Sequence, residues 1–315
     1  TYRTLKEEVD PGLFQTLCCT GNYRQDQFDS PENLKSMMPM YALKPGYIGL
    51  IKAVKLFTGL NEYQSMKYIS IFSTLIMTFL FFITFFFQKN FLQFLWIPLA
   101  FFSQFLFLAK LMTPDAITAL LFLISVIFLI KNRLYTSYLI MALTLTFRPD
   151  MIVAAGLAGL LPIFNKDFRM PILNSIMFLS IYFYISASIS HNGWWSHFYT
   201  SLVSTQSNLD FFDPSFDLKK YFEILIGNTL WVLNDVNYIG WFSLTFIIIF
   251  LSAYFVLEKK SQWINLIALS LSVAIIIKFI IFPKVDSRVY LAILVPAIYA
   301  FSLNSLNLPE RIDSK

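Results

Sequence analysis

The residues in this chain that could do chemistry are few, and they recur in short clusters beside prolines: Glu8-Val9-Asp10-Pro11, Lys44-Pro45-Gly46-Tyr47, Thr113-Pro114-Asp115-Ala116 and Phe147-Arg148-Pro149-Asp150, with Asp286-Ser287-Arg288-Val289-Tyr290 near the end. Each has a structural and a chemical reading. Asp10 before Pro11 is an N-cap pattern and also an acid projecting from the membrane surface just after a first helix. Lys44 is a snorkelling lysine or a phosphate ligand at headgroup level. Thr113 or Asp115 caps the next helix, yet a carboxylate at a membrane helix end is costly unless it faces water or a partner. Arg148 and Asp150 pair across a turn, or the arginine fork holds a phosphate by two hydrogen bonds. Arg288 is an interface anchor or a second phosphate ligand.

Other chemistries leave no trace. His191 and His197 flank Gly193-Trp194-Trp195, but their spacing of six fits no usual helical metal pair, and interface aromatics explain them. Cys18 and Cys19 are read as small buried packing residues. No Walker A loop, GxGxxG, HExxH or GxSxG is present, which argues against ATP hydrolysis, Rossmann cofactors, zincin proteolysis and a nucleophile-elbow hydrolase.

The elements that must position these residues follow from composition. The chain is 57% hydrophobic and only 14% charged, against roughly 25% charged in ordinary soluble domains. That excludes a soluble enzyme, a disulfide scaffold and a disordered protein. It leaves an all-α polytopic membrane protein. The apolar runs are continuous rather than alternating, unlike barrel strands. They fall at about 66–87, 91–109, 114–130, 134–147, 151–164, 171–189, 238–257, 262–282 and 289–304. The short 134–147 and 151–164 runs read as a helical hairpin with Arg148-Pro149-Asp150 at its apex, or as a re-entrant pair. Residues 48–57 place Ile48, Ile51, Val54 and Phe57 on one helical face with Lys52 and Lys55 opposite, an interfacial amphipathic helix. The segment 221–234 is a second one. Three regions result: a polar outer loop 1–65, a transmembrane domain 66–304 with an outer loop 190–237, and a tail 305–315.

Charge sets the orientation. One side receives Lys89, Lys131 with Arg133, Lys166 with Arg169, Lys259 with Lys260, and the tail, so it is cytoplasmic by the positive-inside rule. The net charge of +5 is then explained without a nucleic-acid partner. The opposite side collects every cluster named above. An odd number of spans with an outer start predicts a further helix before Thr1, about ten spans in all.

This arrangement resembles the type C glycosyltransferases (GT-C), membrane enzymes that take a sugar from a polyprenyl-phosphate carrier. It is most similar to bacterial relatives of protein mannosyltransferases and of the aminoarabinose transferase of lipid A. The likeness rests on Asp10 in the first outer loop, Lys44-Pro45-Gly46-Tyr47, Thr113-Pro114-Asp115-Ala116, Arg148-Pro149-Asp150, and Arg288 with Tyr290. It departs in having lysine for the usual arginine at Lys44 and no Asp-x-Asp motif. The resemblance implies a GT-C-like bundle and an inverting displacement without a covalent intermediate. Asp10 is the implied base, and Asp115 orients the acceptor or holds a divalent cation, metal dependence being open. Lys44, Arg148 and Arg288 are the implied ligands of the lipid phosphate, with Glu8, Tyr47, Asp150 and Tyr290 as further substrate contacts. The implied partners are a polyprenyl-phosphate-linked sugar and a lipid, glycan or protein acceptor. The implied place is a bacterial inner membrane with the site facing the periplasm, and the chain contains no Asn-x-Ser/Thr acceptor. Two other classes stay open: a transporter or flippase for a lipid-linked sugar, and a non-catalytic assembly subunit.

Overall fold

The computed structural model describes residues 10–86, 97–98, 104–189 and 193–306. Among them the regular secondary structure is all helical, with no strand. Three short helices come first: α1 (Pro11–Cys19), α2 (Asn22–Asp29) and α3 (Pro31–Tyr41), followed by α4 (Pro45–Thr58) and α5 (Glu62–Phe86). A 3-10 turn at Phe105–Lys110 leads to α6 (Asp115–Ile130), α7 (Leu134–Phe147) and, after a 3-10 turn at Pro149–Met151, α8 (Ile152–Leu160). The second half contains α9 (Arg169–Ser188), α10 (Trp194–Leu202), α11 (Leu218–Asn234), α12 (Val236–Leu257), α13 (Gln262–Ile281) and α14 (Arg288–Leu306).

Among the described residues four helices are long and apolar enough to cross a membrane: Glu62–Phe86, Arg169–Ser188, Tyr238–Leu257 and Gln262–Ile281. Twenty residues at about 1.5 Å each span about 30 Å, the thickness of a hydrocarbon core. Four more of the expected runs form shorter apolar helices, Asp115–Ile130, Leu134–Phe147, Pro149–Asn165 and Arg288–Leu303. The expected run 91–109 lies mostly outside the described residues, as do Glu8, His191 and most of the tail.

The centre of the bundle is α14. From Tyr290 to Ser302 every residue is buried, as expected of a helix apolar on all faces. Helices α6, α12 and α13 pack around it. On α5, Phe72, Leu75, Phe79, Phe82 and Phe86 stand exposed, a continuous apolar face that suits lipid rather than water. Helix α11 turns Leu218, Phe222, Ile226 and Leu230 outward at i, i+4 spacing, which agrees with the interfacial reading.

Two local expectations are corrected. On α4 it is Leu50, Ile51 and Val54 that pack against the cluster of Tyr47, Ile69 and Phe147, whereas Ile48 and Phe57 are exposed. The inward stripe is set by Tyr47 and Leu50, about one residue away from the predicted face. Cys18 and Cys19, at the end of α1, are joined to each other rather than acting as two independent packing residues. Cys18 is nevertheless fully buried.

Candidate functional site: a cationic cavity where the outer loops converge

Proline places the polar residues. The residue before a proline is pushed out of the α region, so an X-Pro pair ends one helix or opens the next with X at the boundary. Lys44 (φ −128°, ψ 55°) stands at the head of α4 before Pro45. Arg148 (φ −147°, ψ 100°) ends α7 and begins the turn at Pro149. Asp115 opens α6 directly after Pro114. Gly46 lets α4 approach α7 closely, since a Cβ there would strike Thr146 Oγ1 and come within 3.0 Å of the Phe147 ring.

These boundaries meet in one cavity of about 600 Å³, within the usual size of ligand pockets, roughly 300–1,000 Å³. Its charged lining is Lys44, Arg148, Lys278, Lys284 and Arg288 against Asp115 and Asp150, five cations to two carboxylates. The starts of α4, α6, α10 and α14 lie at or beside its wall, and helix N-termini carry partial positive charge.

The charges are of two kinds. Some are locked in a ladder. Thr113 Oγ1 donates to Asp115 Oδ2 at 2.5 Å, and Arg148 Nη1 pairs with Asp115 Oδ1. Arg148 also grips Asp150 through Nε (3.0 Å) and Nη2 (2.6 Å), the planar fork matched to a carboxylate. Lys278 Nζ completes the row, 2.7 Å from Asp150 Oδ2 and 2.5 Å from the Val289 carbonyl. The Arg148, Asp115 and Lys278 side chains are 10%, 7% and 7% exposed, whereas Asp150 is 41% exposed. The ladder therefore ties α6, the α7–α8 apex, α13 and α14 together.

The other cations face the space. Among the described residues neither Lys44 nor Lys284 forms an ion pair. Burial, and then the positive charge of Arg148, pull the Lys44 ammonium below the ordinary lysine value of 10.5. Burial and Arg288 do the same to Lys284. Groups held in this way gain most from an arriving anion. Arg288 uses Nε on Asp286 at 2.6 Å. The loop carrying Lys284 is fixed from below, where Tyr290 Oη donates to the Phe282 and Lys284 carbonyls (3.2 and 2.8 Å) and Asn228 Nδ2 on α11 donates to the Pro283 carbonyl (2.7 Å).

Five of the residues singled out in the sequence, Lys44, Asp115, Arg148, Asp150 and Arg288, line this cavity. Three others sit elsewhere. Asp10 is exposed and caps α1, accepting from the Gly12 amide at 3.0 Å. Tyr47 is buried among Ile69 and Phe147. Tyr290 is fully buried and stacks on Trp241, centroids 4.4 Å apart; it props the loop rather than lining the cavity. Sequence reasoning missed Lys278 and Lys284 as site residues. A lone lysine in an otherwise uncharged span was the available signal for the first. His197 also lines the cavity, stacked on Phe282. Among the described residues no group of three or more His, Cys, Asp or Glu has the geometry to hold a metal ion.

No family model, curated protein or solved structure matches this chain.

Proposed function

We propose that this chain is a membrane glycosyltransferase of the GT-C type, taking a sugar from a polyprenyl-phosphate carrier within a bundle of nine or ten spans. The observation that supports this most is the excess of cations in a cavity opening among helix ends, with two lysines in no ion pair among the described residues. A phosphate on a membrane lipid is the anion that such a place suits. In this reading Lys44, Lys284 and Arg288 hold the phosphate, and the ladder through Arg148 keeps the walls in register.

The reaction is a single displacement. A hydroxyl or amine of the acceptor attacks the anomeric carbon, and the bond from that carbon to the phosphate oxygen breaks. Its electron pair leaves on the phosphate, whose growing charge the cations stabilise. The acceptor's proton passes to a carboxylate. Asp10, the base that the resemblance implies, does not line the cavity, so the reading moves this role to Asp115 or the more exposed Asp150. The site faces the outer side, the periplasm if the membrane is a bacterial inner one.

The test is sugar transfer by the purified chain in nanodiscs. Lys44→Ala and Lys284→Ala are expected to lower transfer at least tenfold with unchanged thermal unfolding. Full activity in both variants would remove the cavity from the reaction. One observation favours a second reading, a carrier for the same lipid: the buried Lys278, paired with Asp150 from within an apolar helix, since intramembrane charges often mark transport paths. Movement of intact sugar lipid across liposomes, without transfer, would support it.

A further inference from the structure

The cavity has two unlike walls. The cationic wall comes from the α3–α4 junction, the α7–α8 apex and the 282–289 loop. Another part of the lining comes from α9 and α10, and among the described residues it contributes no Lys, Arg, Asp or Glu. Helix α10 contributes Trp194, His197 and Ser201, at i, i+3 and i+7, a single stripe on one face. Helix α9 contributes Tyr182 and Ser186, four residues apart on its own face.

The stripe is held from behind. Trp194 packs against Trp195 and Phe198 at 5.7 and 5.3 Å between centroids, and Trp195 donates through Nε1 to the Ser215 carbonyl at 2.9 Å. The His197 ring lies 5.2 Å from Phe282 at 21°, nearly parallel. Trp194 itself is 40% exposed, so its indole is available to a ligand.

Resting on the transferase reading, we propose that the α9–α10 wall is the subsite for the sugar, and that the sugar is uncharged. A sugar ring offers an apolar C–H face and a rim of hydroxyls. An aromatic face with hydroxyl and imidazole groups at fixed spacing matches both. A carboxylate-bearing sugar would gain no cation on this wall, and an amino sugar would gain no acid. The phosphate goes to the lysines of the same cavity, so one donor molecule touches both parts of the lining.

The experiment measures binding to the full chain in nanodiscs by three probes: undecaprenyl methyl phosphate as the bare lipid, a diester with the same single charge as the donor, undecaprenyl phosphate glucose, and an amino-sugar analogue of the latter. The glucose lipid is expected to bind about tenfold tighter than the bare lipid, an aromatic contact and a hydrogen bond together reaching that order. Trp194→Ala and the milder Ser201→Ala should shrink that difference and leave the bare-lipid affinity unchanged. Equal binding of bare and glucose lipids would overturn the sugar subsite while leaving the phosphate reading intact. An equal loss of both lipids in Trp194→Ala would also overturn it. Tighter binding of the amino-sugar lipid than of the glucose lipid would refute the uncharged sugar. Binding of none of the three would overturn the transferase reading and the subsite with it.

Discussion

Arg148→Met is the perturbation whose consequence the structure fixes most closely. The arginine is the only ion-pair partner of Asp115 among the described residues, and that carboxylate is 7% exposed. Without Arg148 it keeps only the Thr113 hydroxyl. Breaking a buried pair by removing one partner costs about 3–5 kcal/mol, because an uncompensated charge stays behind. Asp150 adds little to this, since it is 41% exposed and retains Lys278. At roughly 2.1 cal/mol/K of unfolding entropy per residue, a chain of 315 residues loses about 1.5 °C per kcal/mol, so a drop of about 5–8 °C is expected in detergent. The decisive variant is the double one. Adding Asp115→Asn to Arg148→Met removes the stranded charge and should restore about 2 kcal/mol or more, a coupling within the range for contacting residues. A single-variant loss below about 1 kcal/mol, or additive effects of the two substitutions, would refute the ladder as described.

Four further outcomes follow from the same geometry. Binding of polyprenyl phosphate should weaken as pH rises toward 10, earlier than for ordinary lysines. Lys44 and Lys284 lose their protons below 10.5, so the charged form that binds the anion is present only at lower pH; affinity constant up to pH 10.5 would contradict this. The same depression means that the folded state binds fewer protons than the unfolded state between the depressed values and 10.5, so stability of the unliganded chain should rise with pH in that window, measured by unfolding at graded pH. Gly46→Ala should cost about 1–3 kcal/mol by overpacking α4 on α7, read by thermal unfolding, and should weaken lipid-phosphate binding through the displaced Lys44. Trp231, exposed on the outward face of α11, should be quenched by lipids labelled near the headgroup; insensitivity to them would deny that helix its interfacial place.

Much of the site could be read from the chain because proline marks it. Lys44, Arg148 and the Thr113–Asp115 pair each adjoin a proline that fixes a helix boundary, and loop charge put those boundaries on one side. Helix α11 announced itself through spacing. Lys284, Lys278 and the α10 stripe did not, because their importance comes from long-range contacts: Lys278 reaches Asp150 over more than a hundred residues, and His197 matters through Phe282 and the cavity. Tyr290 lies off the cavity for a related reason. A tyrosine at a helix start looks the same in sequence whether it points at a ligand or, as here, bonds the carbonyls of its own loop. Hydropathy marked the apolar runs but not the lengths of the helices they form. Runs of 14 to 16 residues such as Leu134–Phe147 and Asp115–Ile130 are apolar enough for a bilayer, but at about 1.5 Å per residue they reach only about 21–24 Å.

The central claim is that the cavity consumes a lipid-linked sugar. The direct measurement incubates the chain, in nanodiscs, with a radiolabelled polyprenyl-phosphate hexose and membranes of its own cells, and follows the label and the freed lipid phosphate together. The account predicts release of polyprenyl phosphate in step with label appearing on an acceptor, and loss of both in Lys284→Ala. A sugar lipid that binds and is recovered intact, whatever the acceptor fraction, would contradict it.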